Sequence, residues 1–184
     1  MDNAAVQSME QALARSAKGE AAAFEEIMQR HQSMVYSLCY HFLHDSYSAE
    51  EAAQDVFVRL YKNMSSIRSA SHLVRWLRKV AYHRCIDEAR RMPALPPVTL
   101  ENLEACPADN HPADPWLSQR LQLLVASLPE DSRMVVILRF QEDLDLPEIA
   151  ETLEIPLNTV KSRLQRSLDI LREKLGRYAG EVRK

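Results

Sequence analysis

The 184-residue chain contains only 3 glycines, too few for the tight turns of an all-β design. Its 3 cysteines, Cys39, Cys85 and Cys106, are odd in number and far apart. With no Cys-x-x-Cys pair they suggest neither a disulfide framework nor a zinc knuckle, and they read as inert thiols in a reducing compartment. No stretch approaches the ~20 consecutive apolar residues of a membrane span. The start, Met1-Asp2-Asn3-Ala4, lacks the basic-then-apolar pattern of a signal peptide, so a cytoplasmic location is expected. What remains is ordinary for a globular protein: 46% hydrophobic and 27% charged residues, in a length that suits one domain or two small ones.

The net charge of −3 hides a strong patterning. Residues 1–58 hold 3 basic and 9 acidic side chains, and residues 59–92 hold 9 basic and 2 acidic. The alternation then repeats, with 3 basic and 12 acidic in 93–154 and 8 basic and 3 acidic in 155–184. Local field decides where a polyanion docks, so two cationic patches point to nucleic acid despite the acidic average.

Six of the nine prolines fall between Pro93 and Pro115, in a stretch without Lys or Arg. Proline fixes φ near about −65° and offers no amide donor, so this stretch reads as an extended linker. The expected organisation is all-α: two small helical domains, 1–92 and 114–184, joined by a Pro-rich linker at 93–113. In the first, Phe24, Ile27, Met28, Met34, Val35, Leu38, Cys39 and Phe42 recur at helical spacing, with His31 filling the missing step. Ser48 and Glu51 read as a capping box. The helix they open carries Ala53, Val56, Phe57, Leu60, Tyr61 and Met64 on one face. Residues 62–72 read as a Ser-rich loop. A helix over 73–91 follows, with Leu73, Trp76, Leu77, Val80 and Ala81 inward and Arg75, Arg78, Lys79, Tyr82, His83 and Arg90 outward.

In the second domain, Asp114 can cap a helix that has Pro115 at its first position and Leu121, Leu124, Val125 and Leu128 on its stripe. Asp145 and Glu148 form a second capping box that opens a short helix, 146–153. Ile155-Pro156 turns the chain into a last helix with Val160, Leu164, Leu168, Leu171 and Leu175 inward. This is a helix-turn-helix. The outer face of its second helix offers Asn158, Thr159, Lys161, Ser162, Arg163, Gln165 and Arg166. Such a mixture suits a major groove, Arg and Lys for guanine and Asn and Gln for adenine. The other basic face, interleaved with aromatics beside a Ser-rich loop, suits nucleic acid that is partly single-stranded. Trp76 lies on the apolar stripe and reads as core. Cys39, His41 and His44 do not bring a ligand set onto one face, so no metal and no cofactor are expected.

Three segments together resemble the extracytoplasmic-function group of bacterial RNA polymerase sigma factors. Ser48 to Leu60 resembles the family's polymerase-clamp-binding helix. Arg75 to Ala81, followed by Cys85 to Arg91, resembles its −10 helix. Leu128-Pro129 to Arg139-Phe140, then Glu148-Ile149-Ala150 and Thr159 to Leu164, resembles its −35 domain. The match covers about 160 residues and includes the position of the linker.

The resemblance implies contacts to core RNA polymerase through Gln54, Asp55, Phe57, Val58 and Leu60. It implies capture of the melted −10 strand by Asn63, Ser65, Ser66 and Arg68, supported by Arg75, Arg78, Lys79, Tyr82, His83, Arg90 and Arg91. Duplex −35 reading would fall to the outer face of the last helix, Asn158, Thr159, Lys161, Ser162, Arg163, Gln165 and Arg166. It also implies an anti-sigma factor as partner, no small-molecule substrate and no catalysis. The family usually has Gly where Glu154 and Asn158 stand. A non-Gly residue at positive φ costs on the order of 1 kcal/mol, and Asn158 could instead cap the last helix. Two other readings compete. An operator-binding regulator would dimerise on paired half-sites. A helical metal hydrolase would use His31, His41, His44 and Asp45.

Overall fold

The computed structural model describes the backbone of residues 3–91 and 115–181, with side chains over 6–91 and 121–176. Every regular element among the described residues is a helix. The linker at 93–113, with its prolines and Cys106, and the cap residue Asp114 lie outside the described residues. The chain divides into two units, Met1–Glu88 and Ala89–Lys184. No described helix is long and apolar enough to cross a membrane.

The first unit contains α1 (Asn3–Ser16), α2 (Ala21–Leu43), α3 (Ser46–Lys62), a 3-10 turn (Met64–Ser66) and α4 (Ala70–Ala89). The long amphipathic helix expected from Phe24 onward is α2, which buries Ile27, Val35, Leu38, Cys39 and Phe42. Helix α1 was not expected. It buries Met9, Ala12, Leu13 and Ser16, at steps of three, one and three residues, against the rest of the unit. Gly19, at φ +90°, makes the left-handed turn between α1 and α2 that a side chain would strain.

Helix α3 starts earlier than the Ser48–Glu51 pairing predicts. His44 ends α2 in the left-handed region at φ 56°, and Asp45 then caps α3 by accepting from the Ser48 amide at 2.7 Å. Ser48 is therefore a buried first-turn residue rather than the cap. That hydrogen bond, from the Ser48 backbone first and its side chain second, holds the Asp45 carboxyl below its ordinary value. Three alanines, Ala49, Ala52 and Ala53, share the buried face of α3 with Val56 and Leu60, leaving room for close approach of α2. Each large side chain buried in this core contributes about 1.5–3 kcal/mol.

The second unit contains α5 (Pro115–Ala126), α6 (Glu130–Phe140), α7 (Leu146–Leu153) and α8 (Leu157–Glu181). Its core is Leu124, Leu128, Met134, Val135, Leu138, Ile149, Leu153 and Val160. Leu121 and Leu175, expected inward, are exposed. Buried Arg133 donates to the carbonyl of Ala126, the last residue of α5, and to that of Leu128 just beyond it, placing a cation where the helix dipole is negative.

The second capping box forms as expected. Asp145 Oδ1 accepts from the Glu148 amide at 2.7 Å, and Glu148 Oε2 accepts from the Asp145 amide at 2.8 Å. Glu154 then ends α7 at φ 53°, ψ 42°. It occupies the left-handed position that the expected glycine would have eased. Asn158 has no such strain: it is the second residue of α8, and the carbonyl of Pro156 accepts the first amides, from Thr159 at 2.8 Å and Val160 at 3.2 Å. It is therefore not the cap.

Replacing Asp145 with Ala removes half of the box and should destabilise the second unit by about 1 kcal/mol. Faster hydrogen exchange at the Glu148 and Ile149 amides, with unchanged exchange in α2, is the expected signature.

Candidate nucleic-acid interface

Helix α8 presents Asn158, Lys161, Ser162, Gln165 and Arg166 to solvent, with Thr159 half-buried. Lys161 and Arg166 have no ion-pair partner among the described residues, so their charges are available to an anion. Gln165 donates to both carboxylate oxygens of Asp169, at 3.0 and 3.2 Å, and Ser162 Oγ donates to the Thr159 carbonyl. Arg163 departs from the expected set. Its side chain is 22% exposed and pairs with Asp131 of α6 at 2.7 Å, so it fastens α8 to the core instead of facing outward.

In the first unit the basic surface lies on α4 and the segment before it. Arg75 and His83 are exposed and Arg78 and Lys79 half-buried; Arg90 and Arg91, past the end of the helix and of this unit, are exposed. Tyr82, expected on this face, is only 7% exposed. Burial in α4 widens from a single stripe at Leu73 and Leu77 to five of the six positions from Ala81 to Ile86, and Tyr82 is enclosed with them. Trp76 is half-buried on the stripe. The expected loop at 62–72 is shorter, because α3 runs to Lys62 and α4 begins at Ala70. Asn63 Nδ2 donates to the Arg59 carbonyl at 2.8 Å and Ser66 Oγ to the Asn63 carbonyl at 2.7 Å, while Ser65 and Arg68 are exposed.

Arg84 carries no role in the sequence reading. Its side chain is 6% exposed, and it donates through Nε to Asp55 of α3 and through Nη1 to Glu88, each at 2.6 Å. Burial opposes its charge, but the hydrogen bonds and fields of Glu88 and Asp55 outweigh that and hold the guanidinium ionised more firmly than usual. Asp55 keeps 48% of its side chain exposed and so also belongs to the outer face of α3. Beside it, Gln54 and Val58 are exposed, whereas Phe57 is buried and Leu60 is wholly inside. Leu60 is therefore core rather than contact, because it lies on the stripe packed against α2. A groove of about 790 Å³ runs between α2 and α3, lined among others by Phe24, Met28, Tyr36, Phe57, Val58 and Tyr61. The α2 side of this groove was not expected, although Phe24 and Met28 had been read as its core stripe.

Burial first, and then the charges of Arg30 and Arg78, push the His31 imidazole below its ordinary value. Cys39 and Cys85 are both buried, and the Cys85 thiol is pushed well up by its hydrogen bond to Cys39 and by burial. Both thiols fit the expected structural role. Among the described residues no group of three His, Cys, Asp or Glu could hold a metal ion.

The sequence matches the family description "Sigma-70 region 2" over residues 12–92 and "Sigma-70, region 4" over residues 118–171. It is 29% identical over 183 residues to the ECF RNA polymerase sigma factor SigW of Bacillus subtilis, covering 86% of this chain and 91% of that one. It is 30% identical over 174 residues to the ECF RNA polymerase sigma-E factor of Escherichia coli, covering 88% and 91%. Two solved structures share the fold. One is CnrH in complex with the cytosolic domain of CnrY, with TM-score 0.68, 20% identity and coverage of 92% and 97%. The other is the sigma factor RpoE in complex with the anti-sigma factor NepR from Bartonella quintana, with TM-score 0.60, 17% identity and coverage of 83% and 96%.

Replacing Arg84 with Ala would remove the cation that Asp55 and Glu88 share and open a cavity between α3 and α4. The expected loss is about 2–3 kcal/mol, below the full range for a buried pair because Asp55 stays half-exposed. Urea unfolding followed through a probe in the first unit measures it.

Proposed function

Because the chain belongs to the sigma-70 family of RNA polymerase factors, in its extracytoplasmic-function group, we propose how its residues divide the family's work. The chain binds core RNA polymerase and directs promoter-specific initiation of transcription. Residues 1–92 form the region that binds polymerase and opens and reads the −10 element. Residues 93–113 link it to a −35-reading domain over 114–184. The protein is a regulatory factor, not an enzyme, and acts in the cytoplasm, where it meets polymerase. An anti-sigma factor is its further partner, by analogy with the NepR complex of the fold relative.

The single observation that carries the −35 assignment is the capped helix-turn-helix, with Lys161 and Arg166, unpaired among the described residues, exposed on the outer face of α8. Asn158, Ser162 and Gln165 flank them with groups suited to base edges. Arg163 is assigned to the core pair with Asp131. For polymerase, Gln54, Asp55 and Val58 form the outward set on α3, with Phe57 contributing only through the groove it lines. For the −10 strand, Ser65 and Arg68 face outward from the loop, and Arg75, Arg78, Lys79, His83, Arg90 and Arg91 supply cations and a ring for phosphates and bases.

Opening duplex costs several kcal/mol for a few base pairs, since stacking alone averages ~1.4 kcal/mol per step. Captured bases and neutralised phosphates offset that loss once polymerase holds the factor in place. The isolated chain should therefore bind promoter weakly. Arg166→Ala should lower transcription from a −35-dependent promoter about 5- to 10-fold in a reconstituted assay, as expected for loss of one good base or phosphate contact. Unchanged transcription would remove the −35 assignment.

A further inference from the structure

The segment that joins α3 to α4, residues 63–69, reads Asn-Met-Ser-Ser-Ile-Arg-Ser. It contains neither Gly nor Pro, so no turn residue dictates its path. Its first half is closed by local bonds: the Asn63 amide to the Arg59 and Leu60 carbonyls, Ser66 to Asn63 and Ile67 to Met64. Met64, buried, anchors it. Where the segment runs into α4, three amides, those of Arg68, Ala70 and His72, donate to side chains. The Arg68 amide donates to His72 Nδ1 at 3.1 Å, the His72 amide donates to Ser69 Oγ at 3.1 Å, and the Ala70 amide donates to Glu10 Oε1 at 2.8 Å.

Glu10 comes from α1, sixty residues away in the chain. It reaches Ala70 because α1 is fastened to α2. Met9, Ala12 and Leu13 are buried there, Arg15 pairs with Glu26 at 2.8 Å, and Arg30 donates to Ser8 Oγ at 2.8 Å. A carboxylate at the first amide of α4 also complements the helix dipole. Glu10 lies just ahead of the stretch that matches the region 2 description, which begins at residue 12.

From this we infer that Glu10 and His72 are positioning residues that hold the 63–69 loop in the conformation that captures a base of the −10 strand; the inference rests on the −10 reading given above. The loop's polar side chains divide accordingly. All four of Asn63, Ser65, Ser66 and Arg68 are exposed, but the Asn63 side-chain amide donates to the Arg59 carbonyl at the end of α3 and the Ser66 hydroxyl to the Asn63 carbonyl. His72 fixes the backbone of Arg68 itself, and so fixes where its guanidinium can reach. A loop already in its bound form has little conformational freedom to lose when the strand arrives, which favours affinity and discrimination together.

The test uses holoenzyme made from the full chain and core polymerase. The probe is a fork-junction DNA that carries the −10 strand of a promoter located by transcript-start mapping, with each −10 base substituted in turn. Glu10→Ala and His72→Ala should weaken probe binding about 3- to 10-fold, the range for loss of one cap. They should also flatten discrimination at one base position, with core-polymerase affinity unchanged. Glu10→Gln keeps an acceptor oxygen and should stay within about twofold of the unaltered protein. Three outcomes overturn the inference. In the first, Glu10→Ala and His72→Ala leave discrimination intact while Ser65→Ala or Arg68→Ala reduces it; positioning fails and the −10 reading stands. In the second, polymerase affinity falls in proportion to probe binding, so the residues only support the fold. In the third, Ser65→Ala and Arg68→Ala also leave discrimination intact, and the −10 reading of the loop fails with the inference built on it.

Discussion

Arg84 is tolerated inside the first unit because Asp55 and Glu88 each reach it at 2.6 Å. Removing charge from water is expensive, and only close, hydrogen-bonded partners make such a site stable. Because one partner lies on α3 and the other one turn further along α4, the ion pairs fix the register between the two helices. In the proposed division of labour the outer face of α3 meets polymerase and that of α4 meets DNA, so one buried cation would set the geometry between two functions. Asp55 belongs to both sides of this arrangement: one of its oxygens holds the core pair, while about half of its side chain remains open to a partner.

The second unit uses the same device at a smaller scale. Arg163, expected on the outer face of α8, pairs instead with Asp131 of α6. That pair, with Val160 in the core, fixes which side of α8 is outside, and so which cations a groove would meet. The strain of Glu154 at positive φ, on the order of 1 kcal/mol, sits in the turn between α7 and α8. The reciprocal Asp145–Glu148 box at the other end of α7 offsets it, so a turn without glycine still carries the motif.

Features whose partners are neighbours in sequence were legible in advance. The Asp145–Glu148 box, the bounds of α7 and the apolar stripe of α2 each depend on residues within a turn or two of one another. Features that depend on distant partners were not. Arg84 stood out for no role, because its partner Asp55 lies 29 residues earlier in the chain. Tyr82 looked equally external, because the periodicity of α4 carries no sign that its second half is enclosed more widely than its first. The cap of α3 was displaced by three residues for a related reason: Asp45 and Ser48 are both good caps, and the left-handed exit of α2 at His44 decides between them. Helix α1 escaped notice because its buried face is short and half of it is alanine and serine. The resemblance to a family named both Leu60 and Val58 as contacts, and the apolar stripe that holds Leu60 but not Val58 already foretold which is inside: Leu60 is buried and Val58, two residues away, is 52% exposed.

The two surfaces proposed for nucleic acid differ in architecture for a physical reason. A duplex groove has a shape of its own, so a straight helix with outward cations and amides can read it, provided its roll is fixed from behind. A melted strand has no fixed shape, and the protein must supply one. A helix cannot do that, since its side chains radiate from a convex surface. An irregular loop can form a recess, but irregular backbone lacks the carbonyl partners that helices provide. The missing partners must then come from side chains, and Glu10, Ser69 and His72 provide them where the chain enters α4. On this view the N-terminal helix is less an accessory than the remote half of the loop's own hydrogen-bonding.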